Sequence, residues 1–322
     1  MESPVVIVIA AGPGVSGSVA RLFAERGHRV GLLGADEAAV RELAEQISSD
    51  PQRVRLEIAY DGTNFAGWGI QPNLRTVQGT IEAAMGVLFT KYGDAPRLTV
   101  AGRTDAGVHA TGQIAHVDLT TAQLGALNVR RGRSGADSLA YRLNGIAGLS
   151  SDVVMLGSSV APPGFDARFS ATWRRYNYRV EDASIPRNPL VRNHTLSYPA
   201  VLDIDAMNDA AGSLLGLHDF ATYCRPREHA TTIRTLEHFR WTRDAAGVLN
   251  AEVRADAFCH GMVRSMVGLS LFVGEGKLSP TDAVLLLDAR QRTSDFKVAP
   301  ARGPPWSRSA TRQTTSSATA PR

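Results

Sequence analysis

From Arg53 to Tyr60 the chain alternates strictly. Val54, Leu56, Ile58 and Tyr60 are apolar, and Arg53, Arg55, Glu57 and Ala59 between them are charged or small. A period of two marks a strand buried on one face, which belongs to antiparallel sheets rather than to parallel sheets covered on both sides. The stretch "TVQGTIEAAMGVLF" then predicts a helix. Its apolar face is Val77, Ile81, Ala84, Met85, Leu88 and Phe89, and Thr76 is its N-cap. Strands are expected over "RLTVA" and "GQIAHVDL", a helix near "DSLAYRLNGI" and a strand at "DVVML". The same order recurs, with strands at "TWRRYNYRV", "TIRTLEHFRWTR" and "VLNAEVRAD" and helices at "IDAMNDAAGSLLG", "GMVRSMVGLSLFVG" and "TDAVLLLDARQR". Two such rounds predict an α+β fold of two similar subdomains, residues 53–158 and 159–300, on a central antiparallel sheet.

Residues 1–50 follow a different rule. "VVIVIA" is a continuous apolar run, as in a buried parallel strand, and "AGPGVSG", "SVARLFAERG" and "HRVGLLG" follow it. Gly12, Gly14 and Gly17 fit the G-x-G-x-x-G spacing between strand and helix, and Asp36 lies about twenty residues on, where a ribose contact would stand. This partial Rossmann-like βαβα segment resembles the start of a short-chain dehydrogenase. A working dinucleotide site needs further parallel strands, and no Tyr-x-x-x-Lys follows anywhere in the chain. The expectation is therefore a fragment that binds no cofactor.

Composition excludes little. The net charge of +4 is that of the last 22 residues, where Arg302, Arg308, Arg312 and Arg322 meet no acid. The rest balances to zero, so overall charge says little about a polyanion partner. No apolar run approaches the roughly twenty residues of a membrane span. Cys224 and Cys259 have no metal-like spacing and read as free thiols, and the N-terminus has no secretory pattern, which together predict a cytoplasmic protein. The histidines His109, His116, His194, His218 and His260 show no metal-ligand spacing, so no metal site is expected.

The stretch "VAGRTDAGVHATGQIAHVDL" carries the chemistry. A hairpin turn calls for Gly, Asp or Asn. It does not call for Arg103, Thr104 and His109 around a lone Asp105. Glycines on either side of a carboxylate let another backbone come close.

With "YDGTNFAGWGIQP", "RTVQGTIEAA", "AGRTDAGVHATGQ", "FDARFSATWRRYNY", "GLHDFATY" and "FCHGMVRSMVG" in this order, residues 53–300 resemble the TruA-type tRNA pseudouridine synthases. The resemblance implies an isomerase without cofactor or metal, a homodimer, and the anticodon stem-loop of tRNA as substrate. It implies that Asp105 is the catalytic carboxylate, Arg264 its cationic partner, and Tyr176 the ring that stacks on the uracil. By the same resemblance Arg103 holds the flipped nucleotide. Thr104 is expected among the substrate contacts, His109 reads as loop architecture or an RNA contact rather than a base, and Arg168 is a candidate for phosphate contact. Arg174, Arg175, Arg130, Arg131 and Arg133 are further candidates for phosphate contact.

The tail departs from this pattern. "ARGPPWSRSATRQTTSSATAPR" holds no Leu, Ile, Val, Met or Phe, cannot bury an apolar face, and reads as disordered over 301–322. The resemblance implies an apolar closing strand there. A GC-rich coding sequence shifted by one frame can encode that ending, so the tail is readable as an out-of-frame product. A chain without that strand would be an impaired RNA-binding remnant, and an oxidoreductase built on residues 1–50 is a third reading.

Overall fold

The computed structural model describes residues 5–9, 18–20, 23, 29–41, 51–127, 135–228, 230–300 and 307–311. At the N-terminal end, β1 (Val5–Ile9) and β2 (Arg29–Leu33) pair in parallel and form a sheet of their own. Among the described residues this sheet stops at two strands, short of a dinucleotide crevice. Asp36 accepts the N–H groups of Ala38 and Ala39 at 3.0 and 3.1 Å, which is a local cap. Gly12, Gly14 and Gly17 lie outside the described residues. The dehydrogenase resemblance of this segment finds no support in the structure.

The main sheet has ten strands. They are β3 (Gln52–Tyr60), β4 (Thr99–Val100), β5 (Ala110–Leu119), β6 (Val153–Val160), β7 (Ala171–Glu181), β8 (Leu196–Ser197), β9 (Gly216–Asp219), β10 (Ile233–Arg243), β11 (Leu249–Ala255) and β12 (Ser307–Thr311). Eight run in the order β6-β3-β5-β12-β7-β11-β10-β9, with β4 on β5 and β8 on β7. The first helices are α1 (Val77–Leu88), α2 (Thr121–Ala126) and α3 (Gly135–Ala147). They are followed by α4 (Ile204–Ser213), α5 (Met262–Gly274) and α6 (Pro280–Ala289).

One core joins Val54, Leu56 and Ile58 of β3 to Ile81 and Met85 of α1 and Leu139 and Leu143 of α3. The alternation of β3 and the apolar face of α1 thus meet as the sequence predicts, and Thr76 caps α1 by accepting the Gly79 N–H at 3.2 Å. A second core packs Tyr178, Phe239, Trp241 and Val253 against Met207, Met266, Leu269 and Leu287. Each such side chain removed from water contributes about 1.5–3 kcal/mol.

Two expectations are corrected. The first concerns the tail. Residues 307–311 are not disordered but form β12, parallel to β5 (Ser307 opposite Ala110) and antiparallel to β7 (Ser309 opposite Arg174). Between β5 and β7 is a slot one strand wide. Left empty, it would strand main-chain N–H and C=O groups at about 1–3 kcal/mol each. Those groups accept any extended chain, so backbone pairing overrides the lack of apolar side chains.

The second concerns the cysteines. Cys224 and Cys259 are joined in a disulfide, with Cα atoms 5.7 Å apart. The loop after Tyr223 runs beside the segment before α5, and Arg225 N–H donates to His260 O at 2.8 Å. Proximity across 35 residues leaves no trace in the spacing.

Close packing also fixes the segment after α6. A Cβ on Gly268 of α5 would lie 2.0 Å from the Lys297 carbonyl oxygen. Gly268→Ala is therefore expected to destabilise the fold by about 1–3 kcal/mol, as overpacked positions do. Urea denaturation measures it, and a loss below about 0.5 kcal/mol would contradict this packing.

Candidate active site

Asp105 stands on the turn that leads into β5. Asp105 O accepts the Val108 N–H at 3.2 Å, and Gly107 takes φ +79°, a conformation glycine adopts without strain. The loop 61–68 clamps this turn from one side. Trp68 N–H donates to Thr104 O at 3.0 Å, and Gly107 N–H to Phe65 O at 3.2 Å. Gly62 lies so close that a Cβ there would be 1.9 Å from Val108 O. The buried hydroxyls of Tyr60 and Thr104 are 2.7 Å apart.

The carboxylate faces α5 and the residues before it. Arg264 Nη1 donates to Asp105 Oδ2 at 3.3 Å. Arg264 is itself held by its Nε–H, which donates to Ala299 O at 2.8 Å, while Ala299 N–H returns a bond to Arg264 O at 3.0 Å. Met262, Val263, Met266 and Val267 around it are buried. A half-buried guanidinium among such neighbours needs charged and polar partners, and these two supply them. His260 Nε2 is 3.9 Å from Asp105 Oδ1.

Around this pair opens a cleft of about 1050 Å³. Among the described residues its walls carry Arg103, Arg168, Arg174, Arg227, Arg234 and Arg264, and a single carboxylate, Asp105. Tyr176 lines it from β7, with its ring edge-on to Phe258 at 5.0 Å. Burial pushes the Tyr176 hydroxyl up, which Arg174 opposes and Asp105 reinforces, so the phenol is protonated at neutral pH. Arg174 crosses between the two halves of the sheet. Its Nη2 donates to Ala101 O at 2.7 Å and its Nη1 to Asp256 O at 3.1 Å.

The sequence candidates fall into three groups. Asp105, Arg264, Tyr176, Arg103 and Arg168 meet in this cleft. Thr104 lines it but is buried with its hydroxyl on Tyr60. His109 does not line it. The ring is buried in a second, smaller pocket beside Asp61 and His194. Arg175 sits outside the cleft lining, 3.4 Å from Glu252. Arg130, Arg131 and Arg133 lie outside the described residues. Arg227, Arg234 and Phe258 went unread in the sequence, and His260 was read only for metal-ligand spacing. The arginines stand in the basic stretch "CRPREHATTIR", which runs into β10, a signal that could have found them.

The charges around His260 set a pH dependence. Burial holds this imidazole below the ordinary value of 6.5, with Arg227, Arg225 and Arg264 adding to the effect and Asp105 opposing it. At neutral pH the positive charge opposite Asp105 therefore comes from Arg264. A histidine with a depressed folded pKa binds fewer protons folded than unfolded. Its contribution to stability is complete above about pH 6.5 and is lost as pH falls toward the folded value. The difference in melting temperature between wild type and His260→Gln is expected to shrink from about pH 8 to about pH 5. A constant difference across that range would contradict it.

The family model described as tRNA pseudouridine synthase matches residues 210–307, a span containing Arg264. The protein called tRNA pseudouridine synthase A in Leifsonia xyli subsp. xyli is 59% identical over 255 residues, covering 78% of this chain and 88% of that relative. The protein of the same name in Streptomyces griseus is 51% identical, covering 73% of this chain and 79% of its own length. That of Mycobacterium leprae is 44% identical, covering 79% and 88%. Identity of this degree over nearly the whole of such relatives shows that the chain belongs to the tRNA pseudouridine synthase A family.

Proposed function

We propose that this protein isomerises uridine to pseudouridine in tRNA, with Asp105 as the catalytic carboxylate. The observation that carries this reading is one ionisable carboxylate in a cleft walled by six arginines. The isomerisation cuts the bond from ribose C1′ to uracil N1, turns the base and rejoins it through C5. N1 ends with a proton, and the C5 hydrogen leaves as one. The chemistry asks for a carboxylate near C1′ and C5 with an opposite charge beside it. Arg264, 3.3 Å away, supplies that charge.

The uridine must leave its stack to reach a recessed carboxylate. Tyr176 offers its face to the extruded base, a contact worth about 1–3 kcal/mol. Arg103 is exposed at the cleft, and its role is to enter the space the base vacates. Arg168, Arg227 and Arg234 take phosphates along the walls. Thr104 acts by fixing the Asp105 turn.

The substrate region is the anticodon stem-loop, and the enzyme works as a homodimer in the cytoplasm, a placement that rests on its tRNA substrate now that the cysteines are paired rather than free. Residues 53–158 and 159–300 act as its two subdomains. Among the described residues no helix is long and apolar enough to cross a membrane. The filled β5–β12–β7 slot supports an active enzyme rather than an impaired remnant.

Tritium release from tRNA labelled at uridine C5 tests the reading. The full chain is expected to release tritium into water without added cofactor, and no release from any tRNA would refute it. Arg168→Ala is expected to weaken binding and to lower the slope of log affinity against log salt by about one.

A further inference from the structure

We propose that Asp61, His109 and His194 form a binding site for one divalent first-row cation, zinc in the first place, behind the turn that carries Asp105. Asp61 follows β3, His109 immediately precedes β5, and His194 precedes β8. One ligand atom from each lies within 4.8 Å of the other two.

Hydrogen bonding argues for a cation. His109 Nε2 faces the Asn193 carbonyl oxygen at 2.9 Å, and a carbonyl only accepts, so Nε2 carries the ring proton. The other nitrogen, Nδ1, then presents a lone pair, and it stands 2.9 Å from Asp61 Oδ1. An imidazole lone pair and a carboxylate oxygen at that distance repel unless positive charge lies between them. Gly62 N–H reaches Nδ1 at 3.2 Å, a long bond that brings no positive charge between the ring and the carboxylate. Across from them His194 Nδ1 is buried and has no hydrogen-bond partner. A buried nitrogen left without a partner is costly. An ion among the three supplies that charge and gives His194 Nδ1 a partner, at the cost of the long Gly62 N–H bond to His109 Nδ1.

The surroundings fit a metal centre. A ligating histidine commonly donates its second N–H to a backbone carbonyl, as His109 does, and a ligating carboxylate is itself hydrogen-bonded. Asp61 Oδ1 accepts from Thr63 N at 2.9 Å and from Thr63 Oγ1 at 2.6 Å. Two imidazoles and one carboxylate suit zinc, with a fourth position for water. A pocket of about 270 Å³ bounded by the same three residues gives the ion a way in and that water room. His109 lies four residues after Asp105, and Gly62 packs on the Val108 carbonyl. The ion's role is to brace the catalytic turn. The three residues are scattered over 133 positions, with no two of them close in sequence, so spacing alone does not bring them together.

The test uses the full chain, expressed without a histidine tag, stripped with chelator and reloaded with zinc ion alone. Elemental mass spectrometry is expected to find about one zinc per chain. Cobalt substitution is expected to give visible d–d bands in the wild type, a readout that needs no variant. His194→Ala and Asp61→Asn, checked for folding by circular dichroism, are expected to bind zinc about 100-fold more weakly or worse. Zinc should raise the melting temperature of the wild type and not of the variants. The proposal is overturned if the wild type retains no more zinc than the variants. It is equally overturned if cobalt gives no bands, which would leave a proton on Nδ1 as the charge facing Asp61.

Discussion

Everything at the site depends on one ion pair that spans the chain. Asp105 and Arg264 are separated by 159 residues. The first belongs to the half whose core is built on β3 and α1, the second to α5 in the other half. They meet because both halves share a sheet, and the sheet is continuous because β12 lies between β5 and β7. Arg174 reinforces the crossing by bonding to Ala101 O and Asp256 O. Arg264 is in turn aimed by Ala299, on a segment pressed against Gly268. A carboxylate on a glycine-rich turn is held in one place in the cleft only with that support.

The electrostatics are local. Outside the tail the chain has no net charge, yet its cleft carries six arginines and one acid. Folding separates the charges, gathering cations on the surface that must meet a phosphate backbone and placing most acids elsewhere. Arginine suits this wall, since its planar donors grip phosphate with two bonds.

Local patterns were legible in the sequence because short-range physics sets them. The alternation at Val54, Leu56 and Ile58, the apolar face of α1 and the Asp105 turn all stand where periodicity and turn chemistry place them. What was hidden depends on distance. β12 is recruited by two strands that leave a slot, whatever its own side chains prefer. The Cys224–Cys259 pair forms where two loops run side by side. Thr104 and His109 sit in the motif beside Asp105, but the chain turns one hydroxyl inward and buries the other ring behind it. Linear adjacency could not separate residues that face the substrate from residues that hold the turn. The dinucleotide spacing in residues 1–50 is the converse: a local motif beside which, among the described residues, only a two-stranded sheet forms.

The central claim is that Asp105 performs chemistry while the arginine wall performs binding. Single-turnover conversion of tRNA by Asp105→Asn, with tRNA affinity measured on the same preparation, tests it most directly. The account predicts affinity within a few-fold of wild type and a rate lower by about 1,000-fold or more. A rate within about tenfold of wild type would show that another group performs the reaction.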